Sequence, residues 1–180
     1  MENFTITVAQ SSDMENILAL QNSVVENINI KEWFVPSTKA ELELAFSKPQ
    51  EFVMLKVERE NKLVAFSYII LNPDESNDIS RDIDDFKNKD CCVYETVFVS
   101  PECRGCGLQH KLISKLTDIA KQNGKEFIIA TVHPDNIYSS SNFLKNGYKK
   151  LNDVPLSKYG SVRDYYGKEL NKANSSPFYG

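Results

Sequence analysis

The chain has no long hydrophobic run, only seven glycines and a single tryptophan among its 180 residues. No apolar stretch approaches the roughly 20 residues that a transmembrane helix needs. The first sixteen residues also lack the basic and apolar regions of a secretory signal peptide. We therefore predict an intracellular, cytoplasmic protein without a membrane partner.

Positive charge is in short supply as well. The formal net charge is −4 and the isoelectric point is near 5.3, which argues against a nucleic-acid partner. Residues 72–90 hold seven acidic side chains and three basic ones, so this segment alone accounts for the excess. It is either a solvated loop between two strands or an acidic rim that attracts a cationic ligand.

Cysteines are few and lie close together, at Cys91, Cys92, Cys103 and Cys106. A structural disulfide framework would connect distant segments, so this clustering argues against one. Cys103 and Cys106 have C-x-x-C spacing, which keeps a redox or zinc protein open as a less favoured alternative. No second such pair and no spaced histidine pair completes a zinc site, and we predict no bound metal.

Strand and helix patterns alternate along the chain and predict one mixed α/β domain over residues 1–170, followed by a polar tail over 171–180. The central sheet is expected to have about six to seven strands flanked by helices. Capping boxes at Ser12–Glu15 and Thr38–Glu41 predict the first two helix starts. The remaining predictions are strands over 4–9, 52–57, 63–71, 92–99, 127–132, 148–151 and 162–170, and helices ending at Gly124 and Gly147.

The most informative segment is a predicted strand, turn and helix between Val93 and Leu116. The turn contains Gly105 and Gly107 and opens an amphipathic helix. Free backbone N–H groups and the positive end of the helix dipole meet at such a point. The segment therefore predicts a site for a phosphate or pyrophosphate.

This order of elements, with its motifs, resembles the GNAT superfamily of acetyl-CoA-dependent N-acyltransferases. The motifs are Val99-Ser100-Pro101, the run from Arg104 to Gln109, Asn136, and Phe143-Leu144-Lys145-Asn146-Gly147-Tyr148. The resemblance implies an α/β (α+β) GNAT-like fold with a splayed cofactor cleft, and acetyl-CoA as co-substrate. The implied reaction is acetyl transfer to a primary amine of a small-molecule acceptor by direct attack in a ternary complex. Whether the protein forms a homodimer is left undecided.

The resemblance also implies the residues that hold the cofactor. Backbone groups near Val97, Phe98 and Val99 would pair with the pantetheine arm as an added strand. The pyrophosphate would lie on the turn, and Asn136 and Phe143 would contact the cofactor. Gln109 departs from the small residue that the family usually has, and it either folds aside or donates to phosphate. The turn residues concerned are Arg104, Gly105, Cys106, Gly107, Leu108 and Gln109.

For the chemistry, Glu95 is the expected general base, with a pKa raised by apolar neighbours. Alternation would then place Tyr94, Thr96 and Phe98 on the opposite face of the strand. The alternative is that Glu95 faces solvent.

Phe143 stands where the family often supplies a tyrosine as general acid. The substitutes are Tyr138, Ser140 and Ser141, unless water serves as the proton source. Three aromatic residues either shape the acceptor pocket or serve only in core or loop packing: Trp33, Phe34 and Tyr159. Because of the missing tyrosine, a non-catalytic acyl-CoA sensor also stays open.

Overall fold

The computed structural model describes residues 3–170, so the predicted tail over 171–180 lies outside the described residues. Within that range no helix combines the length and the apolar content that a membrane crossing requires. The described helices are α1 (Met14–Glu26), α2 (Lys39–Ser47), α3 (Leu108–Gln122) and α4 (Ile137–Lys145). The strands are β1 (Phe4–Val8), β2 (Phe52–Arg59), β3 (Lys62–Ile70), β4 (Cys91–Val99), β5 (Phe127–Val132), β6 (Lys149–Lys150), β7 (Leu156–Lys158) and β8 (Ser161–Glu169).

These strands form a mixed sheet in the order β1-β2-β3-β4-β5-β8-β6, with β7 paired to β8. The β4–β5 pair is parallel, and the other pairs are antiparallel. The mixed α/β class is confirmed. The sequence missed β7 because its three residues carry too little pattern to distinguish a strand from a loop.

Helices cover both faces of the sheet. The face of α3 that was predicted to be apolar is buried on one side together with α4, and the apolar residues of α1 and α2 are buried on the other. Each fully buried leucine or isoleucine contributes about 1.5–3 kcal/mol. The buried residues of α3 are Leu108, Leu112, Ile113, Leu116, Thr117 and Ala120.

One of the two predicted helix starts is correct. The backbone N–H of Thr38 donates to the Glu41 carboxylate at 2.7 Å and the N–H of Glu41 donates to the Thr38 hydroxyl at 3.2 Å, which is a capping box. The Ser12 prediction is wrong, because α1 begins at Met14 after a short 3₁₀ turn. There the Asp13 carboxylate accepts from the N–H of Gln10 at 2.8 Å.

Two irregularities of β4 create a cleft. Tyr68 on β3 is opposite Thr96, and the next residue, Ile69, is opposite Tyr94, so Glu95 is an extra residue without a partner on β3. The pairing of β4 with β5 ends at Tyr94 and Ala130. The two strands diverge beyond that point, and the predicted splay is confirmed.

The acidic segment, residues 72–90, is more ordered than a solvated loop. Two 3₁₀ turns interrupt it, and Ile79 is 2% exposed within the core. Asp82 accepts from the Tyr165 hydroxyl at 2.6 Å and pairs with Lys158 at 2.6 Å. Part of the acidic charge is therefore neutralised by neighbours, which leaves less of it to attract a cation.

Candidate active site

A large cavity reaches both faces of the sheet through the gap between β4 and β5. Its volume is about 1170 Å³, above the range of about 300–1000 Å³ that is usual for small-molecule sites. It extends from the start of α3, past α4, to the segment between α1 and α2. All the candidate residues line it except Cys106 and Ser140; the lining members are Trp33, Phe34, Glu95, Val97, Phe98, Val99, Arg104, Gly105, Gly107, Leu108, Gln109, Asn136, Tyr138, Ser141, Phe143 and Tyr159.

One end of the cavity is the turn before α3. Gly105 and Gly107 have φ values of +81° and +73°, a conformation that side chains rarely adopt. A Cβ atom at either position would meet no protein atom within 4 Å, so both glycines face open space. The first N–H groups of a helix have no intrahelical acceptor. This end of the cavity therefore presents backbone donors and room for an anion.

Gln109 does not obstruct this turn. Its amide nitrogen donates to the Ser139 hydroxyl at 3.0 Å, and its carbonyl oxygen accepts from the Asn142 amide at 3.2 Å. Of the two orientations considered from the sequence, the structure has the side chain folded aside, where it connects α3 to α4. The half-buried side chain of Cys106 packs against the core on the α3 side, so a contribution of Cys106 to the turn would come from its backbone N–H, as the resemblance implies.

The free edge of β4 comes next. Val97 and Val99 pair with β3 on one side, and the β5 side of this stretch faces the cavity. An extended ligand can add there as a further strand. The Phe98 side chain lies on the α1 face of the sheet, where the centroid of its ring is 5.6 Å from that of Phe34. At the gap between β4 and β5, Phe98 therefore offers a ligand its backbone groups and not its ring.

Glu95 projects from the bulge where the strands part. It is the exposed position of β4 between buried Tyr94 and Thr96. Although the side chain reaches water through the cavity, the protein around it raises its pKa to about 7, first by desolvation and then by the negative charge of Glu41. A carboxyl group with that pKa can accept a proton near neutral pH.

The bulge corrects the predicted faces of β4. Tyr94 packs in the core cluster on the α3 side, whereas Phe98 packs in the cluster on the α1 side. Val97 likewise lies on the α3 side, so it does not flank Glu95 as Val93 does. Strict alternation fails because one extra residue reverses the face of every later side chain.

The charge of Glu95 raises the pKa of two tyrosine hydroxyls. Burial and then Glu95 raise the pKa of Tyr159 to about 12, and the same two causes raise the pKa of Tyr68. Both hydroxyls therefore stay protonated at neutral pH and can donate. Tyr159 occupies a left-handed conformation, with φ of 55°, in the β7–β8 turn. Such strain is often found at functional sites.

The three candidate acids differ in position, and of the two serines only Ser141 lines the cavity. The Tyr138 ring is 70% exposed and its centroid lies 6.4 Å from that of Trp33, at the cavity wall. Ser140 is corrected: it does not line the cavity, and its hydroxyl donates to the Ile137 carbonyl at 3.2 Å. Phe143 is 3% exposed and packs edge-to-face against Tyr94, and its ring has no proton to donate.

Asn136 begins α4 and also lines the cavity. Its side-chain oxygen accepts from the Ser139 N–H at 3.1 Å, so the helix-cap interpretation is confirmed. Sequence reasoning missed Arg163, a buried cation on the cavity wall. No local signal could have found it, because a strand arginine reads equally well as a solvent-facing residue.

The cysteines lie away from the cavity. None of the four, all within the described residues, lines it, and none of them forms a disulfide. Burial raises the pKa of Cys91 to about 11 and that of Cys92 to about 12, opposite to the lowered pKa of redox-active thiols. Residues 3–170 contain no group of three metal-ligating side chains. The geometry gives the cysteine alternative no support.

Comparison with known proteins agrees with this geometry. The model of the acetyltransferase (GNAT) family matches residues 18–148. An N-acetyltransferase from Staphylococcus aureus Mu50 superposes with a TM-score of 0.70 at 20% identity, covering 93% of this chain and 99% of that one. No protein of curated function matches the chain.

Two further solved structures contain the cofactor. The yncA protein of Salmonella typhimurium, solved with acetyl-CoA, gives a TM-score of 0.71 at 21% identity, with 95% of this chain and 96% of that chain covered. The PaiA N-acetyltransferase of Thermoplasma acidophilum, solved with coenzyme A, gives 0.67 at 16% identity, with 93% and 99% covered. At these identities the likeness establishes the fold.

Proposed function

The chain belongs to the GNAT family of acetyltransferases, and we propose that it moves the acetyl group of acetyl-CoA to a primary amine of a small molecule. The amine attacks the thioester directly while both substrates are bound. The observation that carries this proposal is Glu95, held on a bulge where β4 and β5 part, with a pKa of about 7. Neither a nucleic acid nor a membrane enters the proposal, and a homodimer and a cytoplasmic location stay predictions.

The residues present fit acetyl-CoA. The turn at 104–109 offers backbone donors to the pyrophosphate, with Gly105 and Gly107 leaving space for it. The unpaired edge of β4 at Val97 and Val99 fits the pantetheine arm. A backbone N–H on that edge is suited to the oxygen that becomes negative when the thioester carbonyl is attacked. Acetyl-CoA supplies the activated acyl group.

Proton removal is the task of Glu95. An alkylamine is protonated at neutral pH and cannot attack until it loses a proton. A carboxyl with a pKa of about 7 is half ionised there, so it can take the proton directly or through water in the cavity. Holding the amine beside the thioester supplies much of the remaining acceleration.

The leaving thiolate needs less help. A thiol pKa near 8.5 makes coenzyme A an acceptable leaving group with water as the proton source. Of the three candidate acids, Tyr138 and Ser141 are the ones that line the cavity. A modest loss in a Tyr138→Phe variant would fit a water-dependent protonation.

The direct experiment is a thiol-release assay with acetyl-CoA and a broad amine panel, with mass spectrometry of the product. An acetylated amine is the expected result. N-acetyltransferases among the structural neighbours support nitrogen as the acceptor atom. Binding of coenzyme A without turnover of any amine would instead favour the sensor, an alternative that Phe143 in place of a tyrosine supports.

A further inference from the structure

The cavity is lined by a buried cation that no carboxylate of residues 3–170 neutralises. Arg163, on β8, is 3% exposed. Its guanidinium donates to two backbone carbonyls, those of Glu32 at 2.8 Å and Val162 at 3.1 Å. Among residues 3–170 no carboxylate forms an ion pair with it.

This arrangement is unusual for a charged side chain. A buried charge is normally paired, because desolvation without a counter-charge is costly. Desolvation accordingly lowers the pKa of Arg163. The next residue of β8, Asp164, is also buried, but its charge is paired: the carboxylate lies 2.9 Å from the Lys150 ammonium group. Two carbonyls also use only part of the five-donor fork of a guanidinium.

The segment that Arg163 contacts also contains a buried donor that has no acceptor. Trp33 follows Glu32, lines the same cavity, and has an indole N–H that is buried without a hydrogen-bond partner among the described residues. Buried donors are nearly always satisfied in folded proteins. A buried guanidinium and an unsatisfied indole N–H, both on residues that line the cavity, suit an acidic oxygen ligand, and an arginine fork matches the two oxygens of a carboxylate.

Negative charge lies toward the reacting end. Glu95 stands at the splay, and Glu41 is close enough to act on it. Tyr159 stands between the two regions, since its hydroxyl responds to Glu95 and to Arg163 in opposite directions. The cavity is thus acidic where the amine must react and basic farther along the wall. A ligand with separated positive and negative groups matches both ends.

We propose that the acceptor is an amine that also carries a carboxylate, as an amino acid does, with the carboxylate bound by Arg163 and the Trp33 indole N–H. The aromatic walls at Phe34 and Tyr159 would contact its apolar part. This inference rests on the proposed function, because it names the class of amine for the same site. The competing explanation is that Arg163 only anchors the segment at Glu32.

The experiment compares matched acceptors with acetyl-CoA as donor. L-leucine, L-methionine and L-phenylalanine are each set against the corresponding amide and the decarboxylated amine. The variants are Arg163→Gln, Arg163→Lys and Trp33→Phe, which keeps an aromatic ring and removes the N–H. Arg81→Gln is the control, because Arg81 is half exposed, pairs with Glu75 and Asp78, and does not line the cavity.

The wild type should prefer the carboxylate in at least one set. Arg163→Gln should raise the KM for that amino acid about 10- to 100-fold, the effect of losing a charge-assisted pair. The KM of the amide and the affinity for acetyl-CoA should change little. For Arg163→Lys and Trp33→Phe, the KM for the amino acid should lie between the values of the wild type and of Arg163→Gln. Arg81→Gln should have the KM of the wild type.

Equal losses for the amino acid and its amide would assign Arg163 to anchoring and overturn the inference. A wild type that prefers the amides or plain amines would overturn it too, while the proposed acetyl transfer would stand. If no amine is turned over, the proposed function fails. Thermal shifts with coenzyme A and each amino acid then decide this inference: a shift that Arg163→Gln abolishes supports it, and no shift in the wild type refutes it.

Discussion

Replacing Glu95 by Gln tests the proposed base most directly. The change keeps the shape of the side chain and removes its ability to take a proton. General-base catalysis contributes about 10²- to 10⁴-fold, so we expect kcat to fall by about that factor. The affinity for acetyl-CoA should be unchanged, because the phosphate turn and the free edge of β4 do not depend on the carboxyl group.

The pH profile gives a sharper test. With a pKa of about 7, the ionised fraction of Glu95 falls from about 0.9 at pH 8 to about 0.1 at pH 6. For an acceptor whose own pKa is well above 7, log kcat/KM should rise with a slope of about 1 below pH 7 and level off above it, because ionised Glu95 takes the proton that the amine carries when it binds. Glu95→Gln should leave a slope of about 1 throughout. A full rate in this variant, or a break that persists near pH 7, would refute the assignment.

The same carboxyl predicts a change in stability. Its pKa is about 7 in the folded protein, against an ordinary value of 4.5 for a glutamate, so the folded state favours the protonated form. Stability is therefore retained at low pH and lost as the pH rises from about 4.5 to about 7. Glu95→Gln should raise the Tm at pH 8 and not at pH 4, as measured by differential scanning fluorimetry at both values.

The other predictions concern the turn and the surroundings of the base. Gly107→Val should weaken coenzyme A binding at least about tenfold in calorimetry; Gly124→Val, with a similar positive φ and equal space, should cost about the same stability without this effect. Gln109→Ala should lower the free energy of unfolding in urea by about 1–2 kcal/mol through two lost hydrogen bonds and leave coenzyme A affinity intact; a loss of affinity would mean direct phosphate contact. Glu41→Gln preserves the capping box and should move the Glu95 break in the pH profile downward at low salt; an unmoved break would contradict the coupling.

Much of the fold could be predicted because its elements are long and regularly patterned. The apolar spacing of α3 and the run of apolar residues in β5 each correspond to one kind of element. The misses are short or local. β7 has three residues, and the start of α1 depends on which of several polar side chains caps it.

The site was predictable where function depends on the backbone. A turn with glycines before a helix exposes N–H groups whatever the side chains do, so Gly105 and Gly107 could be identified directly. Side-chain directions were harder. Cys106 and Ser140 turn away from the cavity because their neighbours determine which way each faces, and Arg163 is brought in from a strand that no local pattern connects to Glu95.

The bulge explains why one strand can serve both substrates. In a regular strand, Glu95 would lie in register with β3, and Tyr94 and Phe98 would share a face. The extra residue instead puts Tyr94 in the α3 core and Phe98 in the α1 core, with Glu95 between them at the point where pairing to β5 ends. The free edge beyond the bulge is then available to an extended ligand, and the carboxyl group stands at the start of that edge. Restoring regular pairing by deleting Glu95 would therefore affect both the cleft and the base, which is why a substitution rather than a deletion separates their contributions.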